Sequence, residues 1–211
     1  MAVRQFHRVS QLLTLYLQRS WQGSEAGFPD VHGRHLLPSP LPVDDFGVYY
    51  ATDPHDYDEI SRVGMSAGET VDTGDGISFL APQLFADPIR IMGTGYAVLR
   101  LSSWVAGGAT VRIQNIRLRL YRITATAANL ENDTSPTALG AYFDNNSTAE
   151  TKRSIWTRLE DLNFELNPAV ERLGLTVNFE LLAVVGGDCY GRLLHKAGQP
   201  ESYIQLPVVE A

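Results

Sequence analysis

Two adjacent glycines, Gly107 and Gly108, separate two long runs in which apolar and polar residues alternate, residues 96–106 and 110–123. No other feature constrains the fold as much. Side chains two apart share one face of a strand, and two strands joined by a Gly-Gly turn are predicted to pair as a hairpin. That pairing assigns Leu99, Leu101, Ile116, Leu118 and Leu120 to one face, a core stripe. It assigns Trp104, Val111 and Ile113 near the tip to the opposite face, with Arg100, Asn115, Arg117 and Arg119 farther down. A solvent-facing surface has no use for a Trp-Val-Ile patch, so a cover is expected, either the N-terminal segment or another subunit.

The rest of the chain from residue 77 also reads as β. Strands are predicted at Ile77–Leu80, 89–92, 96–105, 110–124, 155–158, 162–166, 173–185, 190–195 and 203–209. The clearest pattern is 173–181, where Leu173, Leu175, Val177, Phe179 and Leu181 alternate with Gly174, Thr176, Asn178 and Glu180. That is the signature of a half-buried strand. Residues 182–185 are apolar at every position, which predicts cover on both faces. A long polar connection over 125–152 suits a Greek-key or jelly-roll sandwich better than a meander.

The first 76 residues read differently. Phe6, Val9, Leu13, Tyr16 and Leu17 recur at helical spacing, which predicts a short amphipathic helix within 3–19. Leu13, Leu15 and Leu17 also alternate, so a strand competes. Residues 20–75 hold seven glycines and five prolines, including Pro38-Ser39-Pro40-Leu41-Pro42, a run that favours extended polyproline backbone. The same stretch carries Trp21, Phe28, Phe46, Tyr49, Tyr50 and Tyr57, residues that disordered tracts lack. An extended arm laid along another surface reconciles both properties. The division is therefore residues 1–76, helix and arm, and residues 77–211, a β-sandwich.

Composition narrows the partners. A net charge of -7 argues against nonspecific nucleic-acid binding and against an anionic membrane surface. Of the 17 basic residues only Lys152 and Lys196 are lysines. Arginine suits interfaces because its planar fork grips carboxylates, although codon usage in a GC-rich genome gives the same skew. Cys189 is alone, which excludes a disulfide framework within one chain. No apolar run approaches the ~20 residues of a membrane span, and no secretory leader is read at the N-terminus.

Each chemical motif has a plainer explanation. Gly64-Met65-Ser66-Ala67-Gly68 fits G-x-S-x-G, but an esterase needs an apolar strand before the serine and a helix after it. The flanks Glu59–Val63 and Glu69–Gly76 are polar, so a Gly/Ser turn is expected. Asp72-Thr73-Gly74 is the triplet of aspartic proteases, which requires a second carboxylate sharing the proton; there is no second copy. The run Asp53-Pro54-His55-Asp56-Tyr57-Asp58-Glu59 offers oxygens to Ca²⁺ without the spacing of a binding loop. His32, His35 and Asp30 would need further ligands to hold a metal. Trp21, Trp104 and Trp156 are candidates for stacking on sugars, and read more simply as core or interface. No phosphate-cradling motif is present.

The expectation is a non-enzymatic building block without cofactor or metal. It would associate with itself or with other subunits of a large particle, a virus or phage virion first among them, assembled in the host cytoplasm. Its interface residues would be Trp104, Val111, Ile113, Arg117, Arg119, Phe46, Tyr49 and Tyr50. The alternatives are a carbohydrate- or receptor-binding β-sandwich and, remotely, a small serine hydrolase using Ser66.

Overall fold

The structure is a computed structural model, and the residues described are 11–19, 34–37, 57–81, 86–134, 143–195 and 202–210. Among them there is no helix. Thirteen strands follow one another: β1 (Gln11–Arg19), β2 (Arg34–Leu37), β3 (Tyr57–Met65), β4 (Thr70–Asp72), β5 (Ile77–Leu80), β6 (Ile89–Ala106), β7 (Thr110–Ile123), β8 (Ala128–Asp133), β9 (Phe143–Asn145), β10 (Thr151–Leu166), β11 (Arg172–Val185), β12 (Gly187–Leu194) and β13 (Tyr203–Glu210).

Two long strands organise the rest. β6 pairs with β10 along one side and with β12 and then β13 along the other. β7 pairs in the same way with β11 on one side and with β8 and β9 on the other. β12 carries β3, β13 carries β1, and β11 carries β4 and β5. Every ladder is antiparallel except one parallel bridge, His35 to Leu80, through which β2 joins the two halves. On the opposite side the Asn132 amide donates to the Glu160 carbonyl at 2.7 Å, tying β8 to β10. The two halves enclose a main apolar core that draws on β1, β2, β3, β5, β6, β7, β10, β11, β12 and β13, with a small second cluster at Leu80 and Ile123.

The expected N-terminal helix is not found where the chain is described. Residues 11–19 form a strand, and the alternation of Leu13, Leu15 and Leu17 is the pattern that prevails. β1 is hydrogen-bonded on both sides, by β13 and β2, and Leu15 and Leu17 are wholly buried. A strand paired first with β13 and then with β2 satisfies its backbone along its length and buries a face, more than a short isolated helix gains. The described part of the expected arm is likewise woven into the sheets, as β2, β3 and β4. Phe46, Tyr49 and Tyr50 lie outside the described residues.

The Gly-Gly turn exists, with φ of 68° at Gly107 and 75° at Gly108, but its two strands do not pair. The Ala109 amide meets the Ala106 carbonyl at 3.4 Å, and beyond it the chain crosses from one layer to the other. Facing each other across the core, β6 and β7 bury both apolar stripes at once, which pairing side by side in one layer would not do.

This crossing, together with one residue, corrects the predicted face of Val111 and Ile113. Asn115 has φ of 51° and forms a bulge: Gln114 is opposite Glu180 and Arg117 opposite Asn178, leaving Asn115 and Ile116 to share a single partner position. A one-residue insertion reverses the side-chain alternation. Before it Val111 and Ile113 point inward, and after it Ile116, Leu118 and Leu120 do so; all five are at most 1% exposed. Val111 and Ile113 are core, not interface. Because asparagine tolerates left-handed backbone better than most residues, Asn115→Ala is expected to cost about 1 kcal/mol more than Asn115→Gly. Urea unfolding of the two variants measures this, since both lose the same amide contact to Glu180.

The expectation of cover on both faces at 182–185 also fails: Val184 and Val185 are 39% and 49% exposed at the irregular end of β11, where Val185 pairs with Thr110.

Candidate functional site

Alternation along β6, β10, β13 and β1 turns Ala97, Leu99, Ile155, Ile204, Leu15 and Leu17 into the core. Their neighbours therefore face outward. Register then lines these neighbours up: Trp156 lies opposite Val98, Val98 opposite Tyr203, and Tyr203 opposite Tyr16. The result is a row of three aromatic rings and a valine across four strands. Tyr203 and Tyr16 have ring centroids 6.0 Å apart. Tyr96 sits beside the row, 6.4 Å from Trp156. Trp156 is 63% exposed and Tyr96 37%. Only the pairing of strands far apart in sequence creates this row; the sequence singled out Trp156 and no other member.

Trp104 also faces outward, as predicted, but it is half-buried by its own chain. The Tyr190 ring stacks on it at 4.9 Å, nearly parallel, and the Arg192 guanidinium lies 4.3 Å from its centroid. Arg192 also covers Tyr57 at 3.8 Å and is held by Glu59 at 2.8 Å and Glu150 at 3.6 Å. Cation and rings are thus already matched to one another. The cover that the sequence asked for at Trp104 is supplied by β12 and β3.

Arg117 and Arg119 emerge on the outer face of the opposite half. They line a polar cleft of about 310 Å³ with Asp72, Asp75, Asn115, Asn178 and Glu180. Arg119 donates to the Asp75 carbonyl at 2.9 Å and to Asn178 Oδ1 at 2.8 Å, and Arg117 forks onto Asp133. Both find partners within the chain.

The motifs resolve as turns and pairs. Asp72 Oδ1 accepts from the Gly74 amide at 2.8 Å, the local turn that Asp favours. Ser66 lies between β3 and β4 with no helix after it, and its amide donates to Glu69 at 2.7 Å. Asp58 and Glu59, adjacent on β3, point to opposite faces and cannot share a cation. Asp58 turns inward and meets His195 Nε2 at 2.8 Å, with His195 fully buried and the Phe79 ring edge-on at 5.8 Å. Tyr57 pairs with Leu194, so this imidazole stands at the far end of β3 from Ser66, about 25 Å away at strand rise. The two cannot act on one substrate atom. Among the described residues no three His, Cys, Asp or Glu converge to hold a metal.

Cys189 is buried, and burial together with the Asp188 charge pushes its thiol above the ordinary range. The native protein is expected to leave a thiol-reactive chromophore untouched at pH 8 and to react once unfolded in urea.

No family model matches the chain, and no curated protein matches it. Solved structures do. An α-amino acid ester hydrolase is similar over 93% of this chain and 36% of its own, at 12% identity and a TM-score of 0.47. An aminopeptidase from a marine sediment archaeon (Thaumarchaeota) is similar over 100% of this chain and 39% of its own, at 10% identity and a TM-score of 0.48. A structure of infectious bursal disease virus, Gt strain, is similar over 99% of this chain and 57% of its own, at 7% identity and a TM-score of 0.25. The chain spans little more than a third of the length of these two hydrolases. Against the expectation of a protein that is no enzyme, the solved structures with the higher scores are hydrolases.

Proposed function

We propose that this chain is a β-sandwich of jelly-roll type that docks through the outer face of β10, β6, β13 and β1 as a subunit of a larger assembly. The assembly we infer is a virus or phage particle, with copies of the same chain as neighbours. The observation that carries the reading is the row Trp156–Val98–Tyr203–Tyr16 with Tyr96 beside it. Flat aromatic rings on a rigid sheet offer large contact area with little side-chain entropy to lose, which is why Trp and Tyr dominate the centres of protein interfaces. The row also lies on a rigid four-strand support rather than on loops, so the free surface is already in its bound shape.

Light scattering across a concentration series tests this. Masses above the 23.3 kDa of one chain, rising with concentration, are expected. A constant single-chain mass up to millimolar concentration contradicts it. Exposed rings at this spacing also suit the face of a sugar, the recognition alternative. That reading expects saturable chemical-shift changes of the Trp156 indole with soluble oligosaccharides and no change of mass.

A further inference from the structure

We propose that the polar cleft on the outer face of β7 and β11 is a binding site for a neutral polyhydroxyl ligand, a mono- or disaccharide. It lies on the half of the molecule opposite the aromatic row, and it does not rest on the docking reading.

The rim of the cleft is fixed by its own hydrogen bonds. The Thr73 amide donates to the Phe179 carbonyl at 3.2 Å, the Phe179 amide to Thr73 Oγ1 at 3.3 Å, and Asn178 Nδ2 to the Gly74 carbonyl at 3.0 Å. The turn between β4 and β5 is thereby stitched to β11. Gly76, with φ of 99°, lets the turn come this close, because a Cβ there would collide with Thr176 Cγ2 and the Asn178 amide. On the other wall the Glu180 carboxylate accepts from Gln114 Nε2 at 2.8 Å and Asn115 Nδ2 at 3.2 Å. Groups held in place before a ligand arrives lose little freedom on binding it.

The charges decide the class of ligand. Asp72, Asp75 and Glu180 line the cleft together with Arg117 and Arg119. Three carboxylates oppose an anion, and two guanidinium groups oppose a metal cation. Arg117 is already neutralised by Asp133, forked on its Nε and Nη2. Arg119 spends both protons of Nη2 on the Asp75 carbonyl and Asn178 Oδ1. Neither offers the free, charged fork that grips a carboxylate or phosphate.

What Arg119 keeps is a single donor. Its Nε is buried and has no acceptor among the described residues. A buried N–H left unpaired is costly, and one ligand oxygen satisfies it. Asp75 has the opposite need: its carbonyl serves Arg119, while nothing among the described residues donates to its carboxylate. A hydroxyl both donates and accepts, so neighbouring hydroxyls of one sugar ring serve Arg119 Nε and the Asp75 carboxylate together. The volume of about 310 Å³ is at the small end of ligand sites, about 300–1,000 Å³, which suits a ligand of this size.

Nuclear magnetic resonance on the full-length protein tests the proposal. The probes are glucose, galactose, mannose, N-acetylglucosamine, maltose and lactose, with glycine, phosphate and calcium as contrasts. The signals read are the Arg119 Nε–H and the Gly74 and Gly76 amides. At least one sugar is expected to shift them saturably, with an affinity that does not change from low to high salt, as a neutral ligand requires. Asp75→Asn keeps the backbone carbonyl that holds Arg119. It is expected to weaken that sugar about tenfold, the loss of a hydrogen bond to a charged group, with the melting temperature unchanged. Trp156→Ala is expected to leave the affinity as it was. No saturable shift with any of these sugars overturns the site. Saturable shifts with glycine, phosphate or calcium in place of the sugars overturn the ligand class. Binding kept in Asp75→Asn and lost in Trp156→Ala overturns the cleft and assigns the sugar to the aromatic row.

Discussion

Val111→Asp is expected to abolish the native fold rather than to detach a folded protein from its partner. Val111 has no exposed surface and sits where β7 is flanked by Ala183 of β11 and Asn145 of β9. Around it lie apolar side chains of the main core, and the amide of the flanking Asn145 already donates to the Ser103 carbonyl at 2.6 Å. The substitution forfeits roughly 1.5–3 kcal/mol of apolar burial. It must also either bury a charge or take up a proton at an unfavourable cost. Together these rival the whole stability of an ordinary domain, about 5–15 kcal/mol. Far-UV circular dichroism and a thermal melt read the outcome: loss of the β signal and of the cooperative transition. A folded variant with impaired self-association would instead return Val111 to the surface, where the hairpin reading of the sequence had it.

Trp156→Ala combined with Tyr203→Ser is expected to do the reverse, removing association while sparing the fold. Trp156 is 63% exposed, and Tyr203 faces outward and is half-buried, its ring near Tyr16. Exposed positions of this kind usually change stability by no more than about 0.5 kcal/mol each. At the centre of an interface each ring is worth about 2 kcal/mol or more, about thirtyfold in affinity apiece. The double variant should weaken self-association by at least a hundredfold, read as a shift of the mass–concentration curve, with the melting temperature within a few degrees. An unshifted curve would take the row out of the interface.

Most of the strands from residue 77 onward could be read in the sequence because a strand buried on one face writes its own period. The alternation at 173–181 and the apolar beats of β7 are of this kind. Four things could not be read. The helix expected near the N-terminus rested on five residues that also fit a strand, and the deciding factor is β13, nearly two hundred residues away, waiting to pair with β1. The parity of Val111 and Ile113 turned on a bulge at Asn115, and nothing local distinguishes an asparagine that inserts from one that alternates. The partners of β6 and β7 were misassigned because a Gly-Gly turn serves a hairpin and a crossing between layers equally well. The aromatic row was illegible for the same reason: Tyr16, Tyr96, Trp156 and Tyr203 are separate in the chain and meet only through register. Trp104 was placed on the correct face, but its cover came from Tyr190 and Arg192, strands that the sequence did not set beside it.

Hydroxyl-radical footprinting of the intact protein at low and high concentration tests the docking face most directly, because it reports the solvent access of each ring separately. Trp156, Tyr96 and Tyr203 are expected to react readily in dilute solution and to become protected together as concentration rises, while Trp104 changes little. Equal reactivity of Trp156, Tyr96 and Tyr203 at both concentrations would contradict the account.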